Sequence, residues 1–239
     1  SLPPFVSKQL IQRMVTSNPS PAYINRVANA FVNNGNGVRG DMKAVIQAIL
    51  TDPEARDDSQ VDSPTFGKLR EPVVRLVQWA RAFGVTSPTN AWPFGSTSSS
   101  STRLAQSPGR APSVFNWFRP GYTPPGTTIA SKGLVAPEFQ IANEPSVVAY
   151  INYMQTLIAS GAGEAKPNYN ELTPLATDSQ ALLNELNLIL AAGQIGAATI
   201  SQMKTALDTI SITTNTGITN RIQAAILLVM ASPEYLVQR

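Results

Sequence analysis

The sequence predicts an all-α fold, an orthogonal multi-helix bundle of roughly eight helices with long proline- and serine-rich loops. Three observations predict it. Apolar residues recur at three- and four-residue spacing along most of the chain, which places them on one face of a 3.6-residue turn. Capping residues followed by proline stand where several of these stripes begin, and glycines stand where several end. No stretch shows the sustained alternation of β-branched and polar residues that a half-buried strand needs.

Phe5, Val6, Leu10 and Met14 form the first stripe. Ser20 and Pro21 then read as an N-cap with proline at the first helical position, followed by Ile24, Val27, Ala28 and Phe31 at helix spacing. "NNGNG" stops this helix, and Asp41 caps the next, with Met42, Val45, Ile46 and Ile49 as its apolar face. Glu71 and Pro72 open a helix carrying Val73, Leu76, Val77, Ala80 and Phe83, ended by Gly84. Three further stripes follow: Val147, Ile151, Met154 and Leu157; Leu182, Leu186 and Ile189, ended by Gly193; and Ile200, Met203, Leu207 and Ile210. The last long helix runs through Ile222, Ile226, Val229 and Met230, and is apolar nearly all round from Ala224 to Ala231. A helix without a polar face is expected at the centre of a core.

A weak internal echo accompanies this pattern. Residues 20–56 and 199–236 each read as helix, polar loop, helix and then "DPE" or "SPE". Recurrence of ordinary helix grammar and a pair of related hairpins both fit it. The whole chain, residues 1–239, reads as one helical domain, with a flexible linker at about 86–110 around the serine run at 96–102 and a second mobile loop at 160–170.

Composition excludes several chemistries. The 18 basic and 15 acidic residues give a net charge of only +3 without dense clustering, so no nucleic-acid footprint is expected. The densest basic stretch, Lys68, Arg70, Arg75 and Arg81, reads as a solvated helix face. The absence of cysteine and histidine removes disulfides, thiolate nucleophiles, the commonest general base and the commonest zinc ligands. A cysteine-free chain also suits an oxidising compartment. The longest apolar run, eight residues from Ala224 to Ala231, falls well short of the roughly 20 needed to span a bilayer. No signal peptide opens the sequence, which reads as a mature product or a piece of something longer.

Two segments hold the candidate functional residues. "PSVFNWFRPGYTPPG", residues 112–126, concentrates aromatics, prolines and one arginine. Trp117, Arg119 and Tyr122 could form an aromatic platform with a cation for a sugar ring or a partner loop. The competing expectation is a proline-stiffened loop anchored by Phe115, Trp117 and Phe118. "APEFQIANE", residues 136–144, holds Glu138, Asn143 and Glu144. Two carboxylates six residues apart on one helix lie on opposite sides, so a structural role is expected rather than an acid–base pair, with Glu144 in the N-cap region before Pro145 and Arg119 or Arg70 as a nearby ion-pair partner. "RGD", Arg39 to Asp41, matches an adhesion tripeptide, but Asp41 is also placed to cap a helix, and "GNGVRG" lacks the strand and Lys-Ser/Thr of a phosphate loop. Lys68, Arg70, Glu71 and Arg75 suggest a charge network that ties helices together, or a cationic subsite.

Five phrases in order, "GVRGDMKAVIQAILTDPEAR", "GKLREPVVRLVQWARAF", "PSVFNWFRPGYTPPGT", "GLVAPEFQIANEPSVVAYINYM" and "RIQAAILLVMASPEYLVQ", resemble the C-terminal part of the bacterial family called domain of unknown function 1800. The resemblance runs from Phe5 to Gln238 and is weakest in the serine run and in residues 160–200. It implies longer members with an upstream helical region rich in His, Asn and Glu, export signals, and a neighbouring gene for a second exported, sulfatase-like protein. It brings no catalytic residue, cofactor or metal ligand with it. The expectation is therefore a non-catalytic helical interaction or structural module of an exported bacterial protein, extracytoplasmic, whose partners are its own upstream region and the second exported protein. Trp117, Arg119, Tyr122, Glu138 and Asn143 are its candidate surface. Two alternatives stay open: the C-terminal portion of an enzyme whose catalytic residues lie upstream, and a carbohydrate-binding module using Trp117 and Tyr122.

Overall fold

Local capping fixes where most helices begin. In a computed structural model, which describes residues 1–114 and 116–239, the helices are α1 Leu2–Met14, α2 Pro21–Val32, α3 Met42–Leu50, α4 Pro53–Arg56, α5 Pro72–Ala82, α6 Thr128–Ser131, α7 Glu144–Ser160, α8 Ser179–Ala191, α9 Ala197–Asp208, α10 Asn215–Ala231 and α11 Pro233–Leu236. Among the described residues eight of these have nine residues or more, and the fold is all-α. Ser20, Asp41, Asp52, Asn143, Asp178 and Thr214 each accept a backbone N–H of the first turn they precede, satisfying donors that the helix itself cannot. Two two-residue strands, β1 Lys68–Leu69 and β2 Val237–Gln238, pair antiparallel with Leu69 opposite Val237. They are too short for alternation to reveal. Gly67 sits beside them at φ +105°, where an added Cβ would come within 2.5 Å of the Gln238 carbonyl oxygen. Glycine is therefore required there by both conformation and space.

The chain divides into two compact units. The first contains Ser1–Leu69, Phe118–Gln140 and Val237–Arg239. Its core joins Ile11 of α1, Tyr23, Val27 and Phe31 of α2, and Val45 and Ile49 of α3. Tyr23 donates its hydroxyl to the Ile49 carbonyl oxygen at 2.6 Å. The α2–α3–α4 hairpin is closed by charge: Arg26 makes two hydrogen bonds to Asp52 (2.7 and 2.8 Å), and Glu54 accepts from the Ser20 hydroxyl and its N–H. The α1 stripe is rotated from the one expected. Phe5 is 63% exposed, while Ser7, Ile11 and Gln12 are buried and Val6, Leu10 and Met14 half-buried. Met42 and Ile46 of α3 also face solvent. Periodicity locates a stripe, but the neighbour decides which of two adjacent rows is covered.

The second unit contains Arg70–Trp117 and Ile141–Leu236. Its centre is α10, which packs against α7, α8, α9 and α11 and the 3-10 turn Asn170–Leu175. Every residue from 221 to 232 is buried or half-buried, as the all-round apolar sequence requires. Arg221 is the charged residue of this stretch. It donates to the Ala176 and Ile210 carbonyl oxygens at 3.1 and 2.6 Å, and so caps the ends of two neighbouring helical segments.

The two echoing hairpins, one in each unit, share a specific bond. Glu54 takes the Ser20 hydroxyl in the first, and Glu234 Oε1 takes the Thr199 hydroxyl at 2.6 Å in the second. Helix grammar alone does not require that bond.

Truncating Ile226, fully buried on α10, to alanine should lower unfolding free energy by about 2–5 kcal/mol. Leu188→Ala, at an exposed position of α8, should change it by less than about 0.5 kcal/mol. Urea denaturation followed by circular dichroism measures both.

Candidate functional site

The five residues singled out by sequence are divided between the two units. Arg119, Tyr122 and Glu138 belong to the first unit, and Trp117 and Asn143 to the second. Glu138 lies in the 3-10 turn Pro137–Ile141 and forms an ion pair with Lys68 of β1 at 3.2 Å, the two side chains only 1% and 4% exposed. Lys68 is thus an ion-pair partner in this segment, where Arg119 or Arg70 is expected from the sequence. Lys68 Nζ also donates to the Arg13 carbonyl oxygen at 2.7 Å, one of the carbonyls left unpaired at the end of α1. Lys68 and Arg75 are both buried, which corrects the solvated-face expectation for this basic stretch. Lys68 is a strand residue rather than a helical one, and it is directed inward.

Asn143 is committed to a capping box. Its side chain accepts the Ser146 N–H at 3.0 Å, and Ser146 Oγ accepts the Asn143 N–H at 2.9 Å. Arg119 is exposed and gives its backbone N–H to Gln140 at 2.8 Å, while Tyr122 is half-buried and its carbonyl accepts from Ala136 at 2.8 Å. Of the three aromatics expected to anchor this loop, Phe118 is buried under the Arg13 guanidinium (4.2 Å to the ring centroid), Trp117 is half-buried, and Phe115 lies outside the described residues. In the "RGD" tripeptide, Asp41 caps α3 and Arg39 lies 5.6 Å from the Phe31 ring.

At the start of α5, arginines lie on tyrosine faces. Within the second unit, Arg70 lies 4.5 Å from the Tyr235 ring, Arg75 4.6 Å from Tyr150 and Arg103 4.6 Å from Tyr153. Arg75 also donates Nε–H to the Arg70 carbonyl oxygen at 2.7 Å. Burial pushes the Arg75 guanidinium down and the Tyr150 and Tyr235 phenols up, while each cation favours its ring partner in the opposite sense. Glu71 accepts from Gln106 at 2.5 Å, and Gln106 in turn accepts the Val73 N–H at 3.2 Å. A loop residue thus caps α5.

A concavity of the second unit lies along α5. The outer face of α5, with Val77, Ala80 and Arg81, meets Trp92, Phe94 and Pro108 of the following segment around an apolar cleft of about 800 Å³. The segment is held from the facing loop. Glu164 accepts from the Ser87 hydroxyl, the Thr89 hydroxyl (2.6 Å) and N–H (3.2 Å), and the Ala91 N–H (3.4 Å). These bonds, that from Ser87 foremost, hold its carboxyl below the usual glutamate value. Thr86 and Lys166 exchange backbone bonds at 3.2 and 3.3 Å. Trp92 itself adopts φ +47°, in the left-handed region, with its indole N–H on Asn90 at 2.5 Å. The available signal was "NAWPFG", an aromatic pair inside a stretch without periodicity. Among the described residues no group of three or more acidic side chains is placed to hold a metal ion, and no helix is long and apolar enough to cross a membrane.

A family model matches residues 1–237, and its description is a protein of unknown function, DUF1800. The chain belongs to this family. Comparison with curated proteins and with solved structures finds no match. Beyond this membership, the structure shows the buried Lys68–Glu138 pair, the arginine–tyrosine stacks and the α5 cleft.

Lys68→Met should destabilise the protein by about 3–5 kcal/mol, because it removes one member of a buried ion pair. Combining it with Glu138→Gln should recover a large part of that loss in denaturant titrations. Glu164→Gln should expose residues 87–95 to limited proteolysis without changing the global melting temperature appreciably. Because the Glu164 value is lowered from 4.5, its hold on the loop is present above about pH 4.5 and is lost as pH falls through the lowered value. Proteolysis of the parent should therefore accelerate at acidic pH and that of the variant should not.

Proposed function

We propose that this chain is a helical interaction module of an exported bacterial protein, and that the α5 cleft receives an apolar, acid-bearing segment of a partner protein. The observation that carries this reading is the cleft itself. Val77 and Trp92 remain substantially exposed in it, and Trp is among the residues that most often anchor protein interfaces. Arg81, exposed at its edge, supplies a cation complementary to a carboxylate on the occupant. The Glu164 bonds arrange the loop in advance, which lowers the ordering cost of binding. Two residues considered for surface chemistry, Glu138 and Asn143, have folding roles in their ion pair and capping box. The lack of cysteine and the family's export signals support an extracytoplasmic setting, where the second exported, sulfatase-like protein is the candidate partner.

Display of random peptides tests the cleft directly. Selection on the parent should enrich apolar peptides carrying Asp or Glu. Val77→Asp, at an exposed position, should abolish that enrichment while leaving the helical circular dichroism unchanged. Arg81→Glu should shift the selected charge to Lys or Arg. Peptides insensitive to both substitutions would overturn the proposal.

A further inference from the structure

The serine run ends in Arg103, and this arginine lies in a second concavity of the same unit, unrelated to the α5 cleft. A pocket of about 380 Å³ is lined by Ser101, Thr102, Arg103, Asn152, Tyr153 and Thr156, with Ala149 at its floor. We infer that it is a binding site for an oxyanion group carried on a small polyhydroxylated molecule, such as an acidic or phosphorylated sugar, with Arg103 as the cation that holds the anion.

The tip of the loop is built to present this group. Ser99 accepts through its carbonyl oxygen from the N–H groups of Arg103 and Ala105, both at 3.1 Å, and Leu104 donates to the Thr97 carbonyl oxygen at 3.0 Å. Thr97 returns a hydroxyl bond to the Gln106 carbonyl oxygen at 2.6 Å, and the Leu104 side chain is buried. Ala105 takes φ +54° to make the reversal. Residues 101–103 therefore project from a pinned turn.

The guanidinium is also oriented. It lies 4.6 Å from the ring centroid of Tyr153, which is only 4% exposed. Contact with the ring orients the guanidinium, part of which also reaches the Tyr153 hydroxyl, and its remaining N–H groups can bond an oxyanion. Among the described residues no carboxylate pairs with Arg103, and none lines the pocket. Burial pushes the Tyr153 phenol up, so the ring partner stays neutral and does not compete with an incoming anion. The remaining walls offer hydroxyls and one carboxamide. Thr102 gives its hydroxyl proton to Ser99, and Thr156 gives its own to the Asn152 carbonyl oxygen. Both oxygens remain acceptors for ligand hydroxyls. A lone inorganic anion would leave most of this volume and these acceptors unused.

Nitrogen-edited NMR titration of the whole chain tests the assignment with glucuronate, glucose 6-phosphate and glucose 6-sulfate as probes, and glucose, acetate and sodium chloride as controls. The expected result is saturable shifts of the Arg103 side-chain Nε–H and of the amides of residues 101–103 and 152 with at least one acidic sugar. Glucose and chloride should leave them unmoved, and acetate should bind more weakly. The acidic sugar that shifts them identifies carboxylate, phosphate or sulfate as the anion. Arg103→Gln should weaken binding by about tenfold or more, and Thr156→Val, a milder change, by several-fold. Equal shifts with glucose, shifts centred elsewhere on the chain, no shift with any acidic sugar, or unchanged affinity in a folded Arg103→Gln would each overturn the inference. If that variant is unfolded, the shift map of the parent and the Thr156→Val affinity decide the question.

Discussion

A run of helix without an exposed residue must be enclosed, and the C-terminal three turns of α10 are such a run. From residue 221 to 232 it offers water no exposed side chain, so the second unit is organised to cover it. α7, α8 and α9 supply apolar surfaces, α11 follows at once through the Ser232–Pro233 cap, and Arg221 spends its guanidinium on the ends of two flanking segments. Hydrophobic burial provides the driving force. The backbone carbonyls set free at helix ends within the unit then need donors, and arginine and glutamine side chains provide them. Arg70 and Gln78 both reach the Leu190 carbonyl oxygen near the end of α8, at 3.2 and 2.8 Å.

This accounts for how a chain with 14% charged residues uses its cations. Few are spent on surface ion pairs, which contribute little. In the second unit they stack on tyrosine and bond to carbonyls. In the first unit Lys68 and Glu138 pair in the interior, and Arg26 clasps Asp52 at the end of the α2–α3 hairpin. A buried ion pair of this kind is weak support for stability in itself but strongly penalises the loss of one partner. It therefore fixes which residues may meet more than it deepens the energy well.

Helix boundaries were legible because caps and stripes are local. Ser20 and Asp41 stand next to the turns they start, and Ala224–Ala231 announced a central helix. The faces were less legible. Phe5, Met42 and Ile46 have the right spacing yet point to solvent, because a helix of mixed apolar rows leaves the choice of row to its neighbours. The candidate site was least legible. Glu138 and Asn143 were visible as polar residues in an unusual segment, but their roles are structural. The cleft depends on Trp92, Phe94 and Glu164, and the pocket on Arg103, in stretches where periodicity had stopped.

By itself the sequence determined an all-α chain, where its helices start and stop, and which helix had to lie innermost. Each of these follows from interactions within four residues along the backbone. Only the tertiary structure decided that Lys68 meets Glu138, that Glu164 gathers residues 87–91, and that Arg103 lies on Tyr153. Those partners are separated by 50 to 77 residues. No local pattern encodes such pairings, since they exist only once the packed helices bring the intervening loops together.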